Sequence, residues 1–265
     1  MDSIINIVWN VVGGAITVGI IESFKFAYSK YVYSKFKDIF GKNIISFNEF
    51  NLTYAQLFLP QDMLVKNKDG TDNTHPYIKD NLKNNFHFSI QRPISSCEVR
   101  AAKYLTETIG KEVKASPLLS SDVDLQGRLD ISFVAFGGPR SNYKTRDVIE
   151  NSANDLLKFN NEKFTTALSG KTVLKTEEGF DYGLILKIHP KQFPKQNWFA
   201  CAGIDEWGTS GAAWYLAKKW REIHNFAGES PFAIIVRVKP GQDEYAEPVV
   251  KVKSPTDAEQ YAITD

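Results

Sequence analysis

The stretch that most constrains the fold covers residues 198–223, where an apolar run, a glycine-containing loop and a helical period follow one another. The pattern predicts a strand over 198–202 and a helix over 209–223. Gly203 and Gly208 lie in the loop between them. Glycines at a strand-to-helix turn let backbone N–H groups approach an anion, and the start of the helix adds partial positive charge. The stretch therefore predicts an α/β unit that carries a ligand-binding loop.

A second stretch repeats this arrangement. Residues 129–136 are typical of a buried strand, Gly137-Gly-Pro-Arg-Ser-Asn142 follows directly, and a helix is predicted over 145–159. Arg140 offers two parallel donors to a phosphate or carboxylate, and Ser141 and Asn142 either cap the helix or contact a ligand. The alternative is a tight turn with a capping residue and a solvated arginine. The repetition favours a ligand site shared by the two loops.

Helical periods alternate with apolar runs from a predicted helix over 95–110 to a predicted strand over 232–238. This alternation predicts an α/β fold, a three-layer sandwich whose sheet is mixed and mostly parallel. Ligands of such sheets bind outside the carboxyl ends of the strands. Because both glycine loops follow a strand, we expect them to converge on one crevice.

The candidate site residues belong to these two loops and to the predicted helix at 95–110. Glu98 stands three residues after Ser95, the spacing of a capping box, so a capping role is favoured over chemistry. The carboxylates available as an acid or base are Asp205, Glu206 and Glu98. The candidate ligand-binding residues are Gly137, Gly138, Arg140, Ser141, Asn142, Gly203, Asp205, Trp207, Gly208, Thr209 and Ser210.

Composition excludes several classes of protein. With 43% hydrophobic and 24% charged residues, the chain has the composition of a folded globular protein. A formal net charge of +1 gives no reason to expect nucleic acid as a partner. Cys97 and Cys201 have no pairing pattern and are expected to be reduced thiols. The histidines are scattered without a metal-binding motif, so no metal is expected.

The N-terminus contains an uncharged run over residues 4–21, at the lower edge of the roughly 20 residues that span a bilayer core. Lys25 and Lys30 begin a basic, aromatic-rich flank, which predicts that the rest of the chain lies at the inner face of the cytoplasmic membrane. The alternative is an amphipathic or core helix that docks on the globular part or on a partner, in a protein soluble in the cytoplasm.

The chain divides into segments by composition. We expect a membrane-associated or docking helix in 1–40, a linker in 41–51, the α/β ligand-binding domain in 52–254 and a polar tail in 255–265.

A family resemblance follows from the loop after residue 202. The strand, Gly203 and then Trp207-Gly208-Thr209 at the start of a helix resemble the Gly-Thr loop of Rossmann-like nucleotide-binding domains, the type that includes the lysine-decarboxylase-like phosphoribohydrolases. That family has a catalytic glutamate three residues after the threonine, where this chain has Ala212. The resemblance therefore implies nucleotide binding and argues against the family's hydrolytic reaction. A membrane segment joined to such a domain is similar to the effectors of bacterial antiphage systems, in which a nucleotide signal controls the membrane part.

These patterns support three expectations of function. The first is a membrane-associated cytoplasmic sensor or effector of the kind found in antiphage defence, whose α/β domain binds a nucleotide or nucleotide-derived ligand. The second is an enzyme that hydrolyses an N-glycosidic or phosphate bond of a nucleotide-like substrate. The third is a protein-interaction module with a vestigial pocket. We expect a homo-oligomer or a member of a larger complex, a membrane contact through residues 4–21, and no certain cofactor apart from the nucleotide-like ligand.

Overall fold

Strands and helices alternate along the chain in the computed structural model, which describes residues 23, 26–45, 49–56, 94–160 and 162–263. The strands are β1 (Phe50–Tyr54), β2 (Leu118–Ser121), β3 (Ser132–Phe136), β4 (Leu157–Phe159), β5 (Phe164–Thr166), β6 (Asp181–Ile188), β7 (Trp198–Gly203), β8 (Phe232–Val238) and β9 (Glu247–Val252). The helices are α1 (26–40), α2 (Ser96–Val113), α3 (Tyr143–Ile149), α4 (Glu206–Lys218), α5 (Trp220–Ala227) and α6 (Pro255–Gln260). Short 3-10 turns cover Lys42–Ile45 and Asp243–Tyr245.

The main sheet of the described residues has seven strands in the order β2-β1-β3-β7-β6-β8-β9. Strands β2, β1, β3 and β7 pair in parallel, whereas β6 is antiparallel to both β7 and β8, and β9 is antiparallel to β8. Five strands (β1, β2, β3, β7 and β8) therefore point the same way. The predicted α/β class with a mixed, mostly parallel sheet is confirmed.

Hydrophobic side chains cover both faces of this sheet. Along β3, Val134 and Phe136 enter one apolar cluster, while Phe133 and Ala135 enter another, because successive side chains of a strand point to opposite faces. The first cluster contains side chains of α1, α2, α4 and α5. The second contains side chains of α3, α6 and the antiparallel β4–β5 pair. The sheet is thus a central layer between two apolar cores.

Helix α1 is part of the first core. Val32, Phe36, Ile39 and Phe40 are buried, and they recur at the three- and four-residue spacing of one helix face. The Phe36 ring lies 5.1 Å from the Trp220 ring of α5. The Phe40 ring lies 5.5 Å from the ring of Phe199 in β7. The second half of the predicted segment 1–40 therefore docks on the globular part.

The predicted linker 41–51 also belongs to this unit. Ile44 of the 3-10 turn is buried in the first core, and the last residues of the segment begin β1. No helix of the described residues is long and apolar enough to cross a membrane. The segment predicted to contact a membrane, residues 4–21, lies outside the described residues.

The predicted helix over 145–159 is wrong in its second half. Helix α3 ends at Ile149, and residues 157–159 form β4. The physical reason is local competition for the carbonyl group of Ile149, which accepts hydrogen bonds from Asn154 Nδ2 (2.9 Å) and from Lys158 Nζ. Side chains that bond to the backbone in this way end a helix.

Two further boundaries differ from the predictions. The helix predicted over 209–223 is divided into α4 and α5 at Lys219. Residues 255–260 of the predicted polar tail form α6, because Ser254 caps it by accepting the Asp257 N–H (3.1 Å) and Ala258 is buried.

Candidate functional site

The two glycine loops lie at the same edge of the sheet. Strands β1, β3 and β7 are parallel neighbours, so their carboxyl ends coincide. The Gly137–Asn142 loop follows β3, and the loop before α4 follows β7. A hydrogen bond from Gly137 N–H to the carbonyl oxygen of Cys201 (3.1 Å) joins the ends of the two strands. The first turn of α2 lies against both loops, through Glu98 on one side and Arg100 on the other.

Glu98 fills the space between the end of β1 and the Gly137–Asn142 loop. Its side chain is buried, and its Oε2 accepts a hydrogen bond from the backbone N–H of Ala55 at 2.9 Å. A Cβ atom added to Gly137 would lie 2.5 Å from Glu98 Oε1 and 3.4 Å from Ser141 Oγ. Gly137 also has a φ of +92°, a conformation that favours glycine. Glycine is required here because the Glu98 carboxyl group occupies the position of a side chain.

The predicted capping role of Glu98 is wrong. Ser95 precedes α2 as its N-cap residue, but its side chain makes no capping hydrogen bond, and its Oγ lies 3.0 Å from Cys97 Sγ. Glu98 reaches away from the helix end to Ala55, which lies past the end of β1. A backbone N–H that lies beyond the end of a strand needs a partner, and the buried Glu98 carboxyl group accepts the N–H of Ala55. The Glu98 side chain is therefore not available to cap α2.

The surroundings of Glu98 favour its protonated form. Burial raises the pKa of the Glu98 carboxyl from 4.5 to about 8, the Ala55 N–H opposes this rise, and the charge of Asp122 adds to it. Asp122 is held at the same edge, where it accepts the N–H of Gln56 (2.8 Å) and the N–H of Tyr143 (2.9 Å). Around neutral pH, Glu98 therefore carries a proton that it is able to donate.

A cavity of about 290 Å³ opens beside Glu98. Apolar groups of Tyr54, Ile94, Val99 and Leu119 line it together with the Glu98 side chain. Small-molecule sites in proteins combine such apolar walls with a few placed polar groups. The exposed side chains of Lys103, Thr106 and Glu107 complete the lining. The cavity has the character of a small ligand pocket that contains the buried Glu98 carboxyl group.

Asn142 holds the Gly137–Asn142 loop in place. It is buried, its Nδ2 donates to the carbonyl oxygens of Phe136 (2.8 Å) and Thr53 (3.4 Å), and its Oδ1 accepts the N–H groups of Lys144 and Thr145. It therefore caps α3, one of the two roles considered for it. Elsewhere in the loop, Gly138 is buried and its carbonyl oxygen accepts the Ser141 hydroxyl (3.1 Å).

Asp181, which is not among the residues predicted from the sequence, bonds to backbone N–H groups at the start of α4, where the second loop ends. Its carboxylate accepts the backbone N–H groups of Tyr182 (2.6 Å), Asp205 (3.1 Å) and Gly208. Burial raises the Asp181 pKa above its usual value, and these backbone hydrogen bonds oppose part of that rise. The Asp181 carboxyl group thus occupies the N–H groups of Asp205 and Gly208, two residues predicted to contact a ligand. The only sequence signal was an aspartate at the head of an otherwise apolar strand.

The polar side chains of the second loop that are predicted to contact a ligand differ in their exposure to solvent. Thr209 and Ser210 are buried, and the Thr209 hydroxyl accepts the Gly203 N–H at 2.9 Å. Asp205 and Glu206 are exposed. Their carboxylates are therefore in contact with solvent.

Trp207 joins the second loop to α2. The Arg100 guanidinium group lies 4.2 Å from the centre of the Trp207 ring, and Arg100 Nε donates to Asp243 Oδ2 at 2.9 Å. Within the described residues, Arg100 Nη2 and Gln56 Oε1 are buried without a hydrogen-bond partner. The edge thus contains an unpaired donor and an unpaired acceptor, an arrangement typical of sites completed by a ligand. Neither Arg100 nor Gln56 is among the site residues predicted from the sequence.

Cys97 adjoins Glu98 on the same turn of α2. Burial raises the pKa of its thiol to about 11, and the charges of Glu98 and Glu206 add to this rise. The thiol is therefore protonated at neutral pH and is a poor nucleophile. Within the described ranges, no group of three or more His, Cys, Asp and Glu side chains is placed to hold a metal ion.

Comparison of the chain with protein-family models, with curated proteins and with solved structures found no match.

Proposed function

We propose that this chain is a Rossmann-like domain that binds a nucleotide-like ligand at the carboxyl edge of its sheet. The observation that carries the proposal is the buried carboxyl group of Glu98, set between β1 and Gly137 beside an apolar cavity. The cavity walls suit the flat, apolar faces of a base. The protonated carboxyl group suits the hydroxyl and ring-nitrogen groups of a nucleoside. Arg100 Nη2 and Gln56 Oε1 are not among the groups that line the cavity, and they would meet a part of the ligand that reaches along the edge of the sheet.

In this proposal the chain is a sensor or effector, and residues 4–21 place it at the inner face of the cytoplasmic membrane, as in antiphage defence. The support is the position of α1, which follows that segment in sequence. Side chains of α1 and of α2 belong to one apolar cluster, and α2 carries Glu98 and Arg100 in its first turns. A ligand that shifts the start of α2 would act on the core in which α1 lies.

The test is calorimetric titration of the full chain with a panel of nucleosides, nucleotides, cyclic nucleotides and dinucleotides. We expect at least one compound to bind, and we expect Arg100→Gln to weaken its binding by at least about tenfold, because a hydrogen bond to a charged group contributes roughly 1.5–3 kcal/mol. The matched control is Lys111→Gln in the last turn of the same helix, which removes an equal charge far from Glu98. Absence of binding across the panel, or equal losses in the two variants, would contradict the proposal.

A second candidate function is hydrolysis of the N-glycosidic bond of such a ligand, favoured by the raised pKa of Glu98. Glu98 would donate its proton to the leaving base nitrogen while the bond from that nitrogen to the sugar carbon breaks. A water oxygen would bond to the same carbon, and the proton lost by the water would return to the Glu98 carboxylate. Neither an oxidant nor a second substrate is needed.

For this reaction we expect Glu98→Gln to lower the rate of base release by at least about 100-fold, since positioned acids contribute roughly 10²–10⁴. The wild-type rate should fall above pH 8 as Glu98 loses its proton. Asp205→Asn and Glu206→Gln are the controls and should stay within about threefold of wild type, because both side chains are exposed. Base release is measured by chromatography, and release that survives alanine at all three positions would exclude the assignment.

A further inference from the structure

A second cavity, of about 470 Å³, opens beside the tip of the Gly137–Asn142 loop. Pro139 and Arg140 contribute to it from the loop, and Arg146 and Ile149 contribute from α3. Lys158 and Phe159 of β4 are on the opposite side, with Lys163 just before β5. We call this cavity the basic cleft.

Positive charge dominates the lining of the basic cleft. Arg140, Arg146, Lys158 and Lys163 line it, and Glu150 is the acidic residue among the lining groups. Arg140 also pairs with Glu162, at 2.9 Å, through side chains that are both 67% exposed. Because the whole chain has a formal net charge of only +1, this excess is a local feature.

Backbone carbonyl groups position two of the cations. Arg146 Nε donates to the carbonyl oxygen of Pro139 at 3.1 Å, and Lys158 Nζ donates to the carbonyl oxygen of Ile149. A neutral carbonyl group orients a cation without cancelling its charge. In the part of the chain that the structure describes, neither of these side chains nor Lys163 forms a salt bridge. Burial lowers the pKa of Lys158, and the charge of Glu150 opposes this shift.

The Gly137–Asn142 loop contacts both Glu98 and the basic cleft. Gly137 lies against Glu98, and Arg140 lines the cleft three residues later. Ala102 lines the cavity beside Glu98 and belongs to the first apolar cluster, whereas Phe159 lines the basic cleft and belongs to the second. The two cavities therefore lie on opposite faces of the sheet and are separate sites.

We propose that the basic cleft binds the phosphate groups of a small phosphate compound. This site is separate from the cavity beside Glu98, so the inference goes beyond the proposed function and does not depend on it. Arg146 keeps its two Nη groups for phosphate oxygens, since its Nε already bonds to Pro139, and Lys163 supplies a second charge. The concave shape suits a small phosphate compound better than an extended polymer.

The experiment titrates the full chain with inorganic pyrophosphate at low ionic strength and follows the heat of binding. We expect wild-type protein to bind it and the double variant Arg146→Gln/Lys163→Gln to bind at least about tenfold more weakly. The matched control is Arg128→Gln/Lys171→Gln, which removes the same charge from exposed positions outside the cleft. Thermal unfolding of each variant verifies that it is folded.

The outcomes separate this inference from the proposed function. Absence of pyrophosphate binding to wild type, or an equal loss in the control variant, overturns the inference. An equal loss in Glu98→Gln also overturns it, because the anion would then lie at the other cavity. Pyrophosphate binding that depends on Arg146 and Lys163 supports the inference even if no nucleoside compound binds, and that combination would contradict the proposed function alone.

Discussion

Gly183→Ala is expected to destabilise the domain by more than about 4 kcal/mol, at the severe end of single substitutions. Gly183 lies inside β6, and a Cβ atom there would overlap the carbonyl oxygen of Gly208 and lie 3.0 Å from the Ala212 Cβ. The strand cannot retreat, because it is hydrogen-bonded to β7 and to β8. The start of α4 cannot retreat either, because Asp181 holds the Gly208 N–H.

Urea unfolding followed by circular dichroism measures this effect. The matched control is Gly127→Ala, since a Cβ at Gly127 meets no atom within 4 Å and its backbone needs no positive φ. We expect the control to change the free energy of unfolding by less than about 1 kcal/mol. Similar values for the two variants would show that β6 and α4 are not in close contact.

Glu98→Gln is expected to make the domain more stable at pH 8.5 than the wild type, by on the order of 3 kcal/mol. The Glu98 pKa is raised from 4.5 to about 8 in the folded chain. The folded state therefore binds more protons between these values, so the stability that Glu98 contributes is complete below pH 4.5 and is lost as the pH rises through 8. Glutamine resembles the protonated acid and retains an acceptor for the Ala55 N–H.

The measurement compares the free energy of unfolding of variant and wild type at pH 5 and at pH 8.5. The difference between them should grow with pH. Lys187 also titrates in this range, since burial lowers its pKa to about 7, but it is present in both proteins and its effect cancels. The exposed Glu178→Gln serves as a control and should change stability by less than about 0.5 kcal/mol at either pH. A difference that is flat with pH would contradict the burial of Glu98.

Much of the fold could be predicted because burial leaves periodic traces in the sequence. The apolar runs of β7 and β8 and the helical period of α2 predict these elements close to their observed bounds. The pairing direction of β6 was not encoded in this way, because a strand buried on both faces has the same apolar pattern in a parallel or an antiparallel position. Strand β2 lacks the apolar pattern of a buried strand, since two of its four residues are serines.

The contacts that define the candidate site were beyond sequence reasoning. The Glu98 carboxyl group meets an N–H that is 43 residues away, and Asp181 meets Gly208 across 27 residues. A capping motif is local and was therefore preferred at Glu98. The glycine pattern predicts that the backbone of the loop approaches an anion, and it does not show that Gly208 lies against the backbone of β6.

The burial of α1 limits how far the chain can be shortened. Phe36 and Phe40 cover Trp220 and Phe199, and Lys187 Nζ donates to the carbonyl oxygen of Asp38 at 3.1 Å. Proteolysis after residue 41 would uncover these rings and leave a buried ammonium group without one of its two acceptors. The remaining fragment would expose apolar surface and aggregate. A loss of ligand binding by such a shortened protein would therefore reflect its aggregation and would not identify a ligand contact.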